Sequence, residues 1–484
     1  AALGTFALDS NTTASDNTGL GYGALASNTT ASNNTAVGSS ALVTNTTGND
    51  NAGLGFKALT LNTTGNDSVA VGAYSLQRNT TGSSNVSVGY DALGNNTTAT
   101  NNTAVGKDAL QANTTGAENT AVGALALTNN TTGTHNVAVG GSDGATGATL
   151  GTNSTGSQNT AIGMQSLKAN TTASNNTAVG YKTLYANTTA SNNVAIGTNA
   201  GANATTGLVD SVLVGYQAGG SGTQGAYTVG VGYNALYANT GNANTAVGYN
   251  ALFANTSGGN NTGIGTQALD AATTASDNTG VGNNAGTSVT TGGGNTLIGS
   301  AAGDNITTGT DNVCIGLNTD PSAAGGVNQI VIGAGISGGE NSQFRFGKAS
   351  NTVSNEFDTD AAWTRASDIR KKRNIKDDNL GLDFINDLSP KTFQWKPSNE
   401  FPKEWDDYNE ENQMNLDAVM HGLIAQDVKS ALDKQGVDTF GGWIEGKDGM
   451  QNVSREMFVT PLINAVKELS TQVEELKAKL NKGE

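Results

Sequence analysis

The sequence predicts a mainly β protein: a parallel β-solenoid or β-roll shaft in a trimeric fibre, followed by a smaller α+β domain that ends in a coiled-coil helix. Three observations predict this architecture. A glycine recurs at Gly21, Gly38, Gly55 and Gly72 and continues at nearly the same interval through most of positions 1–340. The composition changes abruptly near position 340. Apolar side chains at alternating spacings of three and four then occupy positions 459–484.

The composition divides the chain into two unlike parts. Residues 1–340 carry 15 of the 40 acidic and 5 of the 24 basic residues, whereas all four tryptophans and four of the five prolines lie beyond residue 340. Such a shift marks a domain boundary. We therefore expect a repeat shaft at 1–340, a transition segment at 341–366, a compact domain at 367–458 and a C-terminal coiled-coil helix at 459–484.

The first part is built from a 17-residue repeat. One unit reads Asn-Thr-Ala-Val-Gly at 34–38, Ala-Leu at 41–42 and Asn-Thr-Thr at 45–47. Helical repeats are about twice as long, and glycine and β-branched residues are poor helix formers. Two short strands fit each unit, one at Asn-Thr-Ala-Val-Gly and one around Ala-Leu and Asn-Thr-Thr. Each unit is then one solenoid coil, which rises about 4.8 Å.

Stacked coils place like residues above one another, which predicts three ladders. We expect the asparagines to form structural ladders exposed to water, with amides bonded along the axis; glycan or ice binding by the Asn-Thr-Thr arrays is the alternative. About two large apolar residues per coil make a thin core for one chain, which predicts a homotrimer packed around a common axis. The ladders are Leu25, Leu42, Leu59, Leu76, Leu93, Leu110 and Leu127; Leu20, Val37, Leu54, Val71, Val88, Val105 and Val122; and Asn11, Asn28, Asn45, Asn62, Asn79, Asn96, Asn113 and Asn130.

Asn-Thr-Ala-Val-Gly-Tyr units such as 176–181 and 244–249 resemble the head repeats of trimeric autotransporter adhesins and the β-roll shafts of phage tail fibres. The adhesin repeat is somewhat shorter. This resemblance implies a fibre that binds a glycan or protein receptor on a host surface. The irregular stretches 142–152 and 201–227 are the best candidates for recognition, because loops inserted in a solenoid often form its binding face. Gly4 is also in register, so we expect an upstream part that joins a virion or tail component.

The second part contains four motif segments. Residues 366–375 read Ala-Ser-Asp-Ile-Arg-Lys-Lys-Arg-Asn-Ile, and further motifs lie at 388–396, 421–428 and 459–463. In this order they resemble the intramolecular chaperone auto-processing domain of phage tailspikes, endosialidases and related fibres. The resemblance covers roughly the last quarter of the chain. One departure is Asp427, where the family more often has glutamate.

The resemblance implies a single-turnover self-cleavage between Ala366 and Ser367. Ser367 is then the nucleophile and Lys372 the base of a Ser–Lys dyad. A lysine can activate a serine hydroxyl when burial or neighbouring cations favour its neutral form. Taken alone, these ten residues also fit a basic surface strand next to a serine. The downstream motifs favour the processing domain.

Three further residues are expected to support this site. Asp368 and Asn374 would orient the turn around the serine. Arg370 precedes Lys372 by two positions, and its charge, with that of Arg373, would favour the neutral form of the lysine.

The C-terminal residues Val459, Leu462, Val466, Leu469, Val473, Leu476 and Leu480 predict a coiled-coil seam. An amphipathic helix packed on its own domain is the alternative. Three such helices would hold three chains in register, which matters because near-identical coils can slip by one repeat at little cost.

Other functions are disfavoured by the composition. A net charge of −16 argues against nucleic-acid binding, and no apolar run is long enough to predict membrane insertion. Two histidines and one cysteine without ligand spacing predict no metal site and no cofactor. Cys314 lies in a Val-Cys-Ile run, where we expect a buried thiol.

These observations predict a phage tail fibre for host attachment, assembled in the host cytoplasm and located in the virion or at an extracellular surface. Its C-terminal chaperone directs trimer assembly and then cleaves itself. A bacterial cell-surface trimeric adhesin, or an extracellular structural fibre with the same chaperone, is the alternative. A polysaccharide-degrading tailspike would need paired carboxylates in a cleft, whereas the acidic residues of the shaft are scattered singly.

Overall fold

A computed structural model of the chain separates into two compact units, Ala1–Ala366 and Ser367–Glu484. Phe357, Trp363 and Ala366, which the sequence places in the transition segment, lie outside the described residues. The described residues are 1–142, 144, 147–349, 351–356, 367–403, 408, 410–412, 414, 416–446 and 449–483.

The first unit is a parallel β-solenoid in which each coil adds one short strand to a 22-stranded sheet, and two further strands, Thr319–Asp320 and Ile336–Ser337, pair with each other. This confirms the predicted mainly β fold, with one coil for each sequence repeat. The strands are β1 Ala2–Leu3, β2 Thr18–Leu20, β3 Thr35–Val37, β4 Ala52–Leu54, β5 Val69–Val71, β6 Val86–Val88, β7 Thr103–Val105, β8 Thr120–Val122, β9 Val137–Val139, β10 Thr160–Ile162, β11 Thr177–Val179, β12 Val194–Ile196, β13 Val212–Val214, β14 Val229–Val231, β15 Thr245–Val247, β16 Thr262–Ile264, β17 Thr279–Val281, β18 Thr296–Ile298, β19 Val313–Ile315, β20 Thr319–Asp320, β21 Ile330–Ala334, β22 Ile336–Ser337, β23 Gln343–Lys348 and β24 Asn351–Glu356.

The strand register follows the repeat and absorbs its irregularities. Thr35 of β3 stands opposite Ala52 of β4, one repeat further on. Val137 of β9 and Thr160 of β10 lie on the two sides of the predicted insertion and still stand opposite each other. The ladder residues Asn130 and Asn153 are 23 positions apart there, instead of the usual 17. The extra residues are therefore accommodated between β9 and β10, and the register of the two strands does not change.

The second predicted strand of each coil does not form. Residues after the repeat glycine alternate between right- and left-handed conformations, with φ of 59° at Ser40 and 51° at Leu42. Ser40 N–H donates to the Tyr22 carbonyl of the preceding coil (2.8 Å), while Leu42 N–H donates to the Ala58 carbonyl of the following coil (2.9 Å). The left-handed residues thus point successive N–H groups in opposite axial directions, and the backbone is hydrogen-bonded to both neighbours without an extended strand.

The leucine ladder lies wholly inside a single chain. Leu42 and Leu59 are fully buried, as are the central strand residues Ala36 and Ala70. Stacked alanines and buried asparagines complete the interior beside the leucines, while the trimer predicted from the few large apolar residues per coil stays a prediction. Cys314 belongs to the same core, which confirms the predicted buried thiol, and burial raises its pKa to about 12.

The asparagine ladder is also internal, which corrects the prediction that it faces water. Asn62 Nδ2 donates to Asn45 Oδ1 (2.8 Å) and to the Gly65 carbonyl (3.0 Å) of its own coil. Asn45 and Asn62 are fully buried. Each amide closes a turn and bonds to the next amide, so the burial of these polar groups is compensated.

A second buried asparagine column, not predicted as a ladder from the sequence, precedes the strands. Asn34 Oδ1 accepts from Asn51 N–H (2.9 Å), and Asn34 Nδ2 donates to the Gly48 carbonyl (2.9 Å). This column ties the start of each strand to the adjacent coil.

The second apolar ladder lies on the outer face of the sheet. Strand side chains alternate, so the central alanine points inward while the residues on either side of it point outward. Leu20 is 42% exposed, Val105 37% and Ile264 40%. The sheet thus presents a row of β-branched and leucine side chains outside the coil.

The repeat sheet ends in a hairpin. Ile330 of β21 pairs in parallel with Phe344 of β23, and β23 then pairs antiparallel with β24. Phe344 and Phe346, in the transition segment, lie with ring centroids 5.5 Å apart.

The second unit is a small α+β domain. Its core joins Phe384, Val428, Leu432 and Phe458, and the Phe440 and Phe458 rings meet edge to face at 5.2 Å. The helices are α1 Leu382–Asp387, α2 Ala425–Lys434 and α3 Val459–Lys482; the strands are β25 Lys391–Phe393, β26 Met420–Gly422, β27 Trp443–Glu445 and β28 Gln451–Val453; and 3-10 turns cover Ile369–Lys371, Ser398–Glu400 and Arg455–Phe458.

Helix α3 uses two faces. Pro461 and Ala465 are buried, and Glu468 Oε2 accepts the Leu382 N–H at the start of α1 (2.8 Å). The heptad residues remain exposed, with Leu462 at 46% and Val466 at 63%. The helix therefore packs on its own domain and still presents the predicted seam; the coiled coil itself stays a prediction.

Within the described stretches, no helix combines the length and apolarity needed to cross a membrane. The same residues contain no group of three or more histidine, cysteine, aspartate or glutamate side chains arranged to hold a metal ion.

Candidate functional site

The candidate site is a tight turn at the start of the second unit. Asp368 caps the 3-10 turn Ile369–Lys371, because its Oδ1 accepts the Arg370 N–H at 2.8 Å. Lys372 N–H then donates to the Ile369 carbonyl (3.0 Å).

The turn brings the predicted nucleophile and base together. Lys372 Nζ lies 2.6 Å from Ser367 Oγ. This is within the range over which a base can take a hydroxyl proton. Both side chains are exposed in the single chain, and Ala366, on the other side of the predicted cut, lies outside the described residues.

Arg370 pairs with the carboxylate that caps the turn, and its expected effect on Lys372 stays a prediction. Its guanidinium binds Asp368 through both carboxylate oxygens, at 3.0 and 2.7 Å, and this hydrogen bonding raises the pKa of Arg370. Its charge is thus compensated, and Arg370 does not face Lys372 as an unpaired cation. Arg373 is exposed.

Asn374 closes the segment in a left-handed conformation, with φ of 55°. Asparagine adopts this conformation more readily than most side chains do; the orienting role of Asn374 stays a prediction.

The remaining motif segments meet around one apolar cleft. The segments 388–396 and 421–428 supply β25 and β26, which pair antiparallel with Lys391 opposite Gly422, while 459–463 begins α3. The cleft has a volume of about 390 Å³ and carries one histidine and one arginine. Its lining residues are Ile385, Leu388, Pro390, His421, Gly422, Leu423, Arg455, Phe458 and Leu462.

Two positioning residues were missed in the sequence. Asn464 Nδ2 donates to the carbonyls of Asp378 (3.0 Å) and Leu380 (3.1 Å), and Glu468 caps α1 one helical turn further along α3. Together they fasten the helix to the domain. The sequence feature that could have indicated them is a pair of polar residues four positions apart on the predicted helix, beside the apolar seam.

The fold and this unit define a β-solenoid fibre shaft with a C-terminal chaperone domain. Residues 367–437 match the family described as the chaperone of endosialidase, which confirms the resemblance at the first three motif segments; the fourth, 459–463, lies beyond the matched residues. The matched stretch begins at Ser367 itself. No curated protein matches the chain.

Proposed function

We propose that the chain is one protomer of a homotrimeric phage tail fibre that attaches to a host surface. Its second unit directs trimer assembly and then cuts itself from the shaft between Ala366 and Ser367. The observation that carries this proposal is the Ser367–Lys372 pair at 2.6 Å, placed at the residue where the second compact unit begins. A cut there separates shaft from chaperone without opening either unit.

The outer strand face supports assembly into a trimer. Val105 and Val122 lie on successive coils and Ile298 lies on a distant coil of the same sheet, and all three are 37–40% exposed. A continuous apolar face of this kind marks an interaction surface. Its partner must repeat with the same axial rise, which a second copy of the chain does. Three chains that pack by this face close around one axis.

The exposed seam of α3 supports the same stoichiometry. Val466, Leu469, Val473 and Leu476 are 45–64% exposed at heptad spacing, while the opposite face is fastened to the domain. Three seams that pack together form a coiled coil and would align three shafts before they stack.

The proposed chemistry uses only the chain's own groups. Neutral Lys372 takes the Ser367 hydroxyl proton, and Oγ attacks the Ala366 carbonyl carbon. The peptide C–N bond breaks as the lysine returns the proton to the Ser367 nitrogen, leaving an ester. Water then hydrolyses the ester and releases a carboxylate on Ala366. A lysine is a base only when uncharged, and burial favours that form, so assembly that covers the exposed pair would activate it.

The role of the second unit can be tested by comparing two chains in native mass spectrometry. One is the full chain with Ser367→Ala, and the other ends at residue 366. We expect a trimer from the first and monomers or irregular aggregates from the second, because only the first has the seam that sets the register. Equal yields of well-formed trimer from both chains would contradict the chaperone role.

A further inference from the structure

A cluster of two lysines and two tyrosines lies beside the irregular coil of the shaft. Lys168 Nζ donates to Tyr185 Oη at 2.9 Å, one coil further along the stack. Lys182 Nζ lies 5.3 Å from the Tyr181 ring centroid and 5.6 Å from that of Tyr185. Two of the five basic residues in 1–340 therefore flank the same aromatic ring.

This cluster concentrates positive charge on an acidic chain. In the described part of the chain, no carboxylate forms a salt bridge with Lys168 or Lys182. The hydrogen bond from Lys168 and the charges of both lysines lower the pKa of Tyr185. Both ammonium groups lie within 6 Å of the Tyr185 ring centroid on a chain whose net charge is −16, and a local excess of positive charge favours an anionic ligand.

The inserted residues of the irregular coil contact this cluster. A Cβ on Gly147 would meet Lys168 Cε at 2.4 Å, so the inserted backbone packs directly on the lysine stem. The insertion thus narrows one side of the cluster, in the place where solenoids commonly carry binding loops.

A row of exposed aromatic rings continues along the same repeat position. Tyr181 follows its repeat glycine, as do Tyr216, Tyr233 and Tyr249 on later coils, while Thr198 takes this position on the one coil between Tyr181 and Tyr216. The Tyr216 and Tyr233 rings stack at 5.1 Å, and those of Tyr233 and Tyr249 at 5.4 Å. Tyr249 is 50% exposed. Aromatic rings offer apolar surface to the C–H faces of sugar rings, so an extended saccharide can follow this row.

We propose that Lys168, Lys182, Tyr181 and Tyr185 form a binding site for an acidic saccharide, whose carboxylate groups pair with the lysine ammonium groups and whose sugar ring packs on Tyr181. This inference rests on the proposed attachment function and specifies the chemistry of the receptor. Three such sites on one trimer would strengthen binding to a polymeric surface through multivalency.

The test is calorimetric titration of the full-length trimer with a uronate-containing hexasaccharide, with a sialylated oligosaccharide and with the carboxyl-reduced hexasaccharide. We expect at least one acidic probe to bind and the reduced form to bind at least about tenfold more weakly, since charge pairing supplies much of the affinity. The double variant Lys168→Gln with Lys182→Gln should bind the acidic probe more weakly by a similar factor. Tyr181→Ala alone should also lower the affinity for this probe.

Lys107→Gln is the matched control, because it removes another shaft lysine, whose Nζ lies 3.5 Å from Asp108. Native mass spectrometry checks that every variant remains trimeric. Unchanged binding by the double variant, equal binding of the reduced probe, or no binding of either acidic probe at millimolar concentration would overturn this site. Adhesion of the fibre to host cells is measured in parallel, so attachment that survives in the double variant refutes the site and leaves the proposed function intact.

Discussion

At the scale of single residues, asparagine is the side chain that makes the shaft possible. Leucine and alanine fill part of each coil, but the turns bury carbonyl groups that need donors. Asn96 Nδ2 satisfies two of them at once, Asn79 Oδ1 at 2.9 Å and the Ala99 carbonyl at 3.1 Å. Its own Oδ1 accepts from Asn113 at 2.9 Å. The polar ladder is thus as much a part of the interior as the leucines.

The ladder also shows what happens where the repeat changes. The coil after Asn187 has Ala204 at the ladder position, and the coil after Asn255 has Ala272. Among the described residues, Asn187 Oδ1 and Asn255 Oδ1 are buried and lack a hydrogen-bond partner. An interrupted ladder therefore leaves one unsatisfied acceptor at each break, which is a local cost of sequence drift.

Asn96→Ala should destabilise the shaft, because it leaves the buried Asn79 Oδ1 without its donor and removes one of the two acceptors of Asn113 Nδ2. Each unsatisfied buried group costs about 1–3 kcal/mol, and thermal or urea unfolding of the trimer measures the loss.

The matched control is Asn95→Ala, at the neighbouring half-buried position outside the ladder. We expect the control to unfold within about 0.5 kcal/mol of the wild type. Equal stability of both variants would mean that the amide ladder adds nothing to the fold.

At the scale of elements, the sequence predicts the period but not the conformation inside it. The strand at Thr-Ala-Val of each repeat was predictable from its β-branched residues and from the glycine that ends it. The Ala-Leu segment was not, because leucine normally avoids positive φ, whereas Leu42 adopts 51°. Hydrogen bonds to coils on both sides hold that conformation, and they arise only in the stack.

The same limit applies to the two apolar ladders. Periodicity alone identifies the columns, but only the turn geometry decides that Leu59 points inward and that Leu54 points outward. The inward column fills the interior of the single chain, whereas the outward column stays exposed on it and is available for assembly.

A charge on the outer face should therefore dissociate the trimer without unfolding the coil. For Val105→Asp combined with Val122→Asp, we expect sedimentation to give monomers while circular dichroism keeps the β signal, since the burial of unpaired charges is costly.

Thr115→Asp combined with Thr132→Asp is the control, because these exposed threonines lie at another position of the same coils. Retention of the trimer by both pairs would place the chain–chain contact elsewhere. Dissociation by the control pair alone would assign it to the threonine face.

At the scale of the whole molecule, different signals in the sequence predict the two units. The fold of the shaft was predicted from the 17-residue period and from the hydrogen bonding of stacked coils. The second unit was predicted from motif segments that are separate in the sequence. The structure shows that β25, β26 and α3, which these segments form, surround one cleft. The proximity of Ser367 and Lys372 could be expected from that resemblance, while the capping of the turn by Asp368 and the pairing of Arg370 with it required the structure.

The most direct measurement is the intact mass of the assembled trimer's chains after denaturation. The uncut chain is 48.7 kDa. We predict that the wild type yields one fragment that ends at Ala366 and another that begins at Ser367. Ser367→Ala and Lys372→Met should remain uncut, because each removes one partner of the 2.6 Å pair. A wild-type trimer whose chains all keep the full mass, or a Ser367→Ala chain cut at the same bond, would contradict the proposal.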